Sequence, residues 1–74
     1  MSEKLLSNIV IKEPISLKSV RTLTGKTQKE LAKHVGIPYT SYCRYELNTK
    51  NMQIGDLMKF CEKLGITIDK IKVN

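Results

Sequence analysis

The chain has one histidine, two cysteines and no long apolar run. Each shortage removes a class of function. A structural zinc site takes four Cys or His ligands at set spacings, and Cys43, Cys61 and a lone His34 do not supply them. No Gly-rich phosphate loop, metal-ligand spacing or nucleophile-and-base arrangement stands out, so neither catalytic residues nor a cofactor or metal is expected. Cys43 and His34 both have structural homes instead. No stretch approaches the roughly 18 apolar residues of a membrane span, so a membrane is not among the expected partners. The opening stretch "MSEKLLSNIVIKEP" contains acids and no small-residue cleavage site, and it reads poorly as a secretory signal. Both cysteines fall in helix-like stretches and are expected as free thiols in a reducing cytoplasm. Repeats, low-complexity tracts and internal linkers are absent from the sequence.

With 74 residues the chain is one domain with one small core. A chain of this size buries about 60–65% of its unfolded surface, which leaves little room for a deep cleft. Its composition, 41% hydrophobic and 27% charged, is that of an ordinary globule. The net charge of +6 draws the protein toward anionic partners: nucleic acid, acidic proteins or a membrane surface.

Helix punctuation is what the sequence has in quantity. Ser16 is a good N-cap, and Ile15 and Val20 suit a hydrophobic staple across it. Leu17, Val20 and Thr24 then share one side with Leu23 beside them, and Gly25 is a natural stop. "TQKE" at 27–30 is a capping box, in which the Thr27 hydroxyl caps the Glu30 amide and Glu30 reaches back. Leu31, Ala32 and Val35 recur at helical spacing before Gly36. Ala32 is small enough to let a following helix cross closely. Pro38 suits the first turn of a third helix over about 38–46. Tyr42 and Tyr45 fall on its inner side, and Tyr39, Thr40, Ser41, Cys43 and Arg44 fall elsewhere on the wheel. Residues 47–51 read as a loop. Leu57, Phe60, Cys61 and Leu64 form an i, i+3, i+4, i+7 stripe in a fourth helix from about Gln53, closed by Gly65.

The two ends are open to alternatives. The β-branched run at 8–12 is a short strand or an arm on the core, and Pro14 ends regular pairing there. "ITIDKIKVN" is a short fifth helix capped by Thr67 with Ile68 and Ile71 facing in, or a strand pairing with 8–12 or with another copy.

The stretch "LKSVRTLTGKTQKELAKHVGIPYTSYCRYELNTKNMQIGDLMKFCEKLGI" resembles the Cro/CI-type, or XRE-family, helix-turn-helix domain over residues 17 to about 68. Arg21, Thr27–Gln28, Leu31–Ala32, Gly36–Ile37, Glu46 and Leu64–Ile66 carry the resemblance in register. It implies an all-α, compact four- to five-helix, lambda-repressor-like fold, with short strands at the termini as an option. Residues 1–15 would be an N-terminal arm or short strand, 16–68 the DNA-binding domain, and 69–74 a tail or short strand.

The resemblance also implies a site on double-stranded DNA, read by a homodimer. The third helix would lie in the major groove, which is about 12 Å wide and offers a distinct donor and acceptor code at each base pair. The family's base-reading positions fall on Tyr39, Thr40 and Arg44, and Ser41 and Cys43 are further candidates beside the groove. Arg44 would fork onto a guanine or meet a phosphate. Tyr39 would read a base edge, stack on a thymine methyl or bond a phosphate; Thr40 would meet a thymine methyl or a phosphate. Phosphate contacts are expected from Thr27, Gln28, Asn48 and Lys50, with Lys26 and Lys29 as weaker candidates. Arg21 and Glu46 would form a structural pair joining the first helix to the end of the third. The implied role is a bacterial or phage transcriptional repressor. The alternative is an antitoxin or interaction module with a toxin or other protein partner. Met52 and Gln53 stand where the family often has Pro followed by Ser or Thr, so the fourth helix should start with a weak cap, weakened further by Gly55. Lys26 stands where an apolar residue is common.

Overall fold

A computed structural model describes residues 5, 6 and 8–73, so expectations for residues 1–4, 7 and 74 lie outside it. Four α-helices follow one another: α1 Leu17–Thr24, α2 Gln28–Val35, α3 Tyr39–Leu47 and α4 Ile54–Leu64. Short 3-10 turns at Thr49–Asn51 and Ile68–Lys70 complete the order, and the described residues form no sheet. The molecule measures 27 × 26 × 21 Å.

The caps sit where local chemistry puts them. Ser16 Oγ accepts from the Ser19 amide, and Thr27 with Glu30 forms both halves of a capping box. Gly25, Gly36 and Gly65 each end a helix with φ between 72 and 78°, a conformation that costs any side chain with a Cβ. At Gly36 the chain turns out of α2, and α3 begins after two further residues. Pro38 is the N-cap of α3 rather than part of its first turn: its ψ of 138° is extended, and its carbonyl accepts from the Tyr42 amide. The helix therefore runs 39–47, and the expected 47–51 loop is half regular, with a 3-10 turn after Asn48. Gln53 caps α4 without a side-chain hydrogen bond, the weak start that its residue type implies.

The inner stripes meet in one core. Leu17 and Val20 of α1, Leu31, Ala32 and Val35 of α2, Tyr42 and Tyr45 of α3, and Leu57, Phe60, Cys61 and Leu64 of α4 are all buried in it. Burying one large apolar side chain of this kind stabilises the fold by about 1.5–3 kcal/mol. Ala32, only 1% exposed, lets α2 pack closely against α3 and α4. The Tyr42 ring stacks on Phe60 with centroids 6.1 Å apart. Leu23, read beside the inner side of α1, is on the surface, and His34, expected on the surface, is half-buried.

The ends differ most from expectation. Residues 8–12 do not pair as a strand with the tail. Instead Leu6 is buried, its amide bonds the Leu64 carbonyl, and the Ile9 amide turns back to Leu6. Within 8–12 only Ile11 is buried; Ile9, Val10 and Lys12 are exposed. The tail makes a 3-10 turn and then a single parallel bridge from Ile71 to Ile15, with the Ile15 amide on the Lys70 carbonyl and the Lys72 amide on the Ile15 carbonyl. Ile71 faces in as expected; Ile68 does not. Ile71 has left the turn for extended backbone, so the two residues no longer share a side.

Candidate nucleic-acid interface

α3 presents two different sides. Tyr42 and Tyr45, three residues apart, are 0% and 9% exposed and anchor the helix to the core. The Tyr45 hydroxyl donates to Asp56 in the first turn of α4 at 2.7 Å, and the Thr49 hydroxyl donates to the Tyr45 carbonyl at 2.7 Å. Tyr39, Thr40 and Arg44 are exposed on the outward side, and Ser41 and Cys43 flank them half-buried. Among the described residues the Arg44 side chain makes no hydrogen bond or ion pair, so its five donors face solvent. The Tyr39 hydroxyl sits above the ordinary phenol range, held there chiefly by its contact with the Cys43 thiol.

Below this side lies a polar junction of three helices centred on Glu46. Its carboxylate accepts from Arg21 Nε of α1 at 2.6 Å, from Gln28 Nε2 of α2 at 2.9 Å and from the Tyr42 hydroxyl of α3 at 2.6 Å. Arg21 Nη1 also donates to the Lys26 carbonyl at 3.2 Å, which ties in the turn between α1 and α2. Burial raises the Glu46 pKa, but hydrogen bonds from Arg21, Tyr42 and Gln28 outweigh it and hold the carboxyl below its ordinary value. Arg21 is raised in return, first by its bond to Glu46. Burial, and then the bond to Glu46, push the Tyr42 hydroxyl well above the usual phenol range, so it remains a donor at any working pH. The expected Arg21–Glu46 pair thus exists, and it is larger than a pair.

The phosphate candidates lie at two places. Thr27, Gln28 and Lys29 form the start of α2, with Lys26 just before it. The capping box uses the Thr27 and Glu30 amides, leaving the next backbone protons at this end for solvent or an anion. Lys29 is exposed, and Lys26 and Gln28 are half-buried. Asn48, the C-cap of α3, and Lys50, in the following 3-10 turn, are both exposed. Between residues 24 and 51 five bases stand against two acids, Glu30 and Glu46. Both acids are turned to internal use, one in the cap and one in the junction.

Three of these links go unnamed in the sequence reading. Tyr42 and Glu46 are four apart, so their bond was legible in principle as an i, i+4 pair. The Gln28–Glu46 and Cys43–Gln28 bonds join different helices; the family resemblance implies that Gln28 braces α3, but no local pattern names these partners.

No cluster of three or more His, Cys, Asp or Glu that would hold a metal occurs among the described residues. No helix among them is long and apolar enough to cross a membrane. Comparison with known proteins gives one result: a helix-turn-helix family matches over residues 17–71. No curated protein and no solved structure matches. With its four helices, its tight Gly36 turn and the family's residues in register from Arg21 to Ile66, the chain belongs to the Cro/CI-type, XRE-family helix-turn-helix domains and is a DNA-binding regulator of that kind.

Proposed function

We propose that the protein is a sequence-specific repressor that acts in the cytoplasm as a homodimer on a two-fold operator. The observation that carries this reading is the two-sidedness of α3: Tyr39, Thr40 and Arg44 stand outward and unburied while Tyr42, Tyr45 and the Glu46 junction hold the helix from behind. A helix used this way needs a fixed angle and a free polar side that starts in its first turn. Arg44 forks onto a guanine; Tyr39 and Thr40 read its neighbours. Thr27, Gln28, Lys29, Asn48 and Lys50, with Lys26 behind them, meet phosphates on either side. Residues 16–68 supply all of these contacts, and the arm and tail lie outside the reading surface.

A half-site of about 4–6 bp carries too little information to mark one genomic position, and half-sites on a palindrome lie about 34 Å apart. A protomer no more than 27 Å across can place two copies of α3 at that distance when two molecules sit side by side. Much of the affinity is expected from phosphates and should fall steeply with salt.

The deciding experiment selects bound sequences from a random duplex pool and then measures Arg44→Ala on the winner and on random DNA. Palindromic winners are expected. Losing a forked guanine contact should weaken the selected site by about 5- to 150-fold, or about 1–3 kcal/mol, and random DNA much less. Equal losses on both would reduce Arg44 to a phosphate contact.

A second reading has its own observation. Val10 is 81% exposed, and Ile9, Leu23 and Val73 are exposed as well, with a shallow cleft between the arm and α1 lined by Ile9, Val10, Ile15 and Leu23. Such a surface suits the toxin or other protein partner of an antitoxin using the same fold. Co-purification with a larger partner would support that reading, and a pool that yields no enriched sequence would favour a pure interaction module over both.

A further inference from the structure

The Gln28 side chain is gripped at both ends. Its Nε2 donates to Glu46 Oε1 at 2.9 Å, and its Oε1 accepts from the Cys43 thiol at 3.5 Å. A primary amide has two N–H donors and one carbonyl. These contacts use one donor and the carbonyl and leave a single N–H. They also decide which way the amide is turned, because a carboxylate demands the NH₂ end and a thiol proton demands the oxygen. The two gripping residues sit on α3, and the carboxylate is itself held by Arg21 and Tyr42. Gln28 is the first residue of α2, at the end where backbone amide protons point outward.

We propose that Cys43 is a positioning residue for DNA binding: its thiol fixes the Gln28 amide so that the one unclaimed N–H is presented to a backbone phosphate. The inference rests on the reading that Gln28 meets a phosphate. It gives Cys43 a role other than groove contact. The thiol is half-buried, donates to Gln28 of α2 and also contacts the Tyr39 hydroxyl, so it acts through its neighbours. Without it, the amide keeps its grip on Glu46 but rotates more freely, and the phosphate bond must first restrict that motion.

The test uses the full chain with Gln28→Ala, Cys43→Ala, Cys43→Ser and the Gln28→Ala/Cys43→Ala double variant, on the selected duplex and on random duplex. Gln28→Ala should weaken binding to both. Cys43→Ala should weaken both by about three- to tenfold, the value of one modest hydrogen bond. Cys43→Ser keeps a donor and should bind like the parent. The double variant should bind no more weakly than Gln28→Ala alone, since the thiol has nothing left to position. Full additivity in the double variant, or failure of Cys43→Ser to restore binding, overturns the inference. A harmless Gln28→Ala would instead remove the phosphate reading beneath it. The Gln28 side-chain amide resonances give a second readout without DNA. Cys43→Ala should move them toward the position of a free amide and Cys43→Ser should not; resonances unmoved by Cys43→Ala would equally overturn it.

Discussion

Tyr42→Phe removes one atom from the junction under α3 and leaves the rest in place. The ring stays against Phe60 in the core, and Glu46 keeps its donors from Arg21 and Gln28. No buried acceptor is orphaned, so the loss is the hydrogen bond alone. That bond is 2.6 Å long and ends on a carboxylate, and bonds to charged groups are worth about 1.5–3 kcal/mol. With the acceptor still served by two other donors, the lower end applies, about 1.5 kcal/mol. In a domain of this size each kcal/mol moves the melting temperature by about 4–8 °C, so Tm should drop by about 6–12 °C at pH 7. The effect should depend on pH in a definite direction. Glu46 has its pKa lowered in the fold from an ordinary 4.5, so the stability tied to its charge is present above pH 4.5. It is lost as pH falls through the lower folded value, where the carboxyl protonates and the Tyr42 bond becomes a neutral one worth about 1 kcal/mol or less. Urea unfolding of parent and variant, followed by far-UV circular dichroism at a series of pH values from 7 downward, measures both numbers. No difference at pH 7, or a difference that stays the same through the titration of Glu46, would refute the reasoning.

Glu46→Gln keeps the shape of the junction but leaves the half-buried Arg21 guanidinium without its counter-charge, and it should cost about 2–3 kcal/mol in the same urea experiment, more than Tyr42→Phe. Lys50→Ala should weaken selected and random duplexes alike and flatten the slope of log affinity against log salt by about one unit, read from binding at several salt concentrations. Burial, with a smaller push from Asp69, raises the Cys61 thiol to about 11. About one molecule in a thousand then carries the thiolate at pH 8. Brief iodoacetamide treatment of the native protein should therefore give a single adduct on the half-buried Cys43, located by peptide mass spectrometry, and labelling of both thiols at one rate would contradict the packing around Cys61.

The helices were legible because their signals are short-range. Thr27 and Glu30 declare a helix start within four residues, and Gly25, Gly36 and Gly65 declare ends within one. The stripe of Leu57, Phe60, Cys61 and Leu64 declares which side of α4 is buried without naming what it is buried against. The candidate reading side of α3 follows by subtraction: once Tyr42 and Tyr45 are assigned inward, Tyr39, Thr40 and Arg44 have nowhere to go but out. The two ends were not legible, because β-branched residues there suit an extended arm, a bridge or a turn about equally well.

From its sequence alone the chain determined four helices, their caps except at the start of α3, their apolar sides and the residues left outward on α3. Every one of those follows from backbone periodicity and from hydrogen bonds spanning a few residues. Only the folded arrangement decided that Ile71 bridges to Ile15, that Leu6 binds Leu64, and that Glu46 and Cys43 share the Gln28 amide. Those partners lie on separate elements, and a donor does not choose among distant acceptors until packing has brought one of them within 3.5 Å or less.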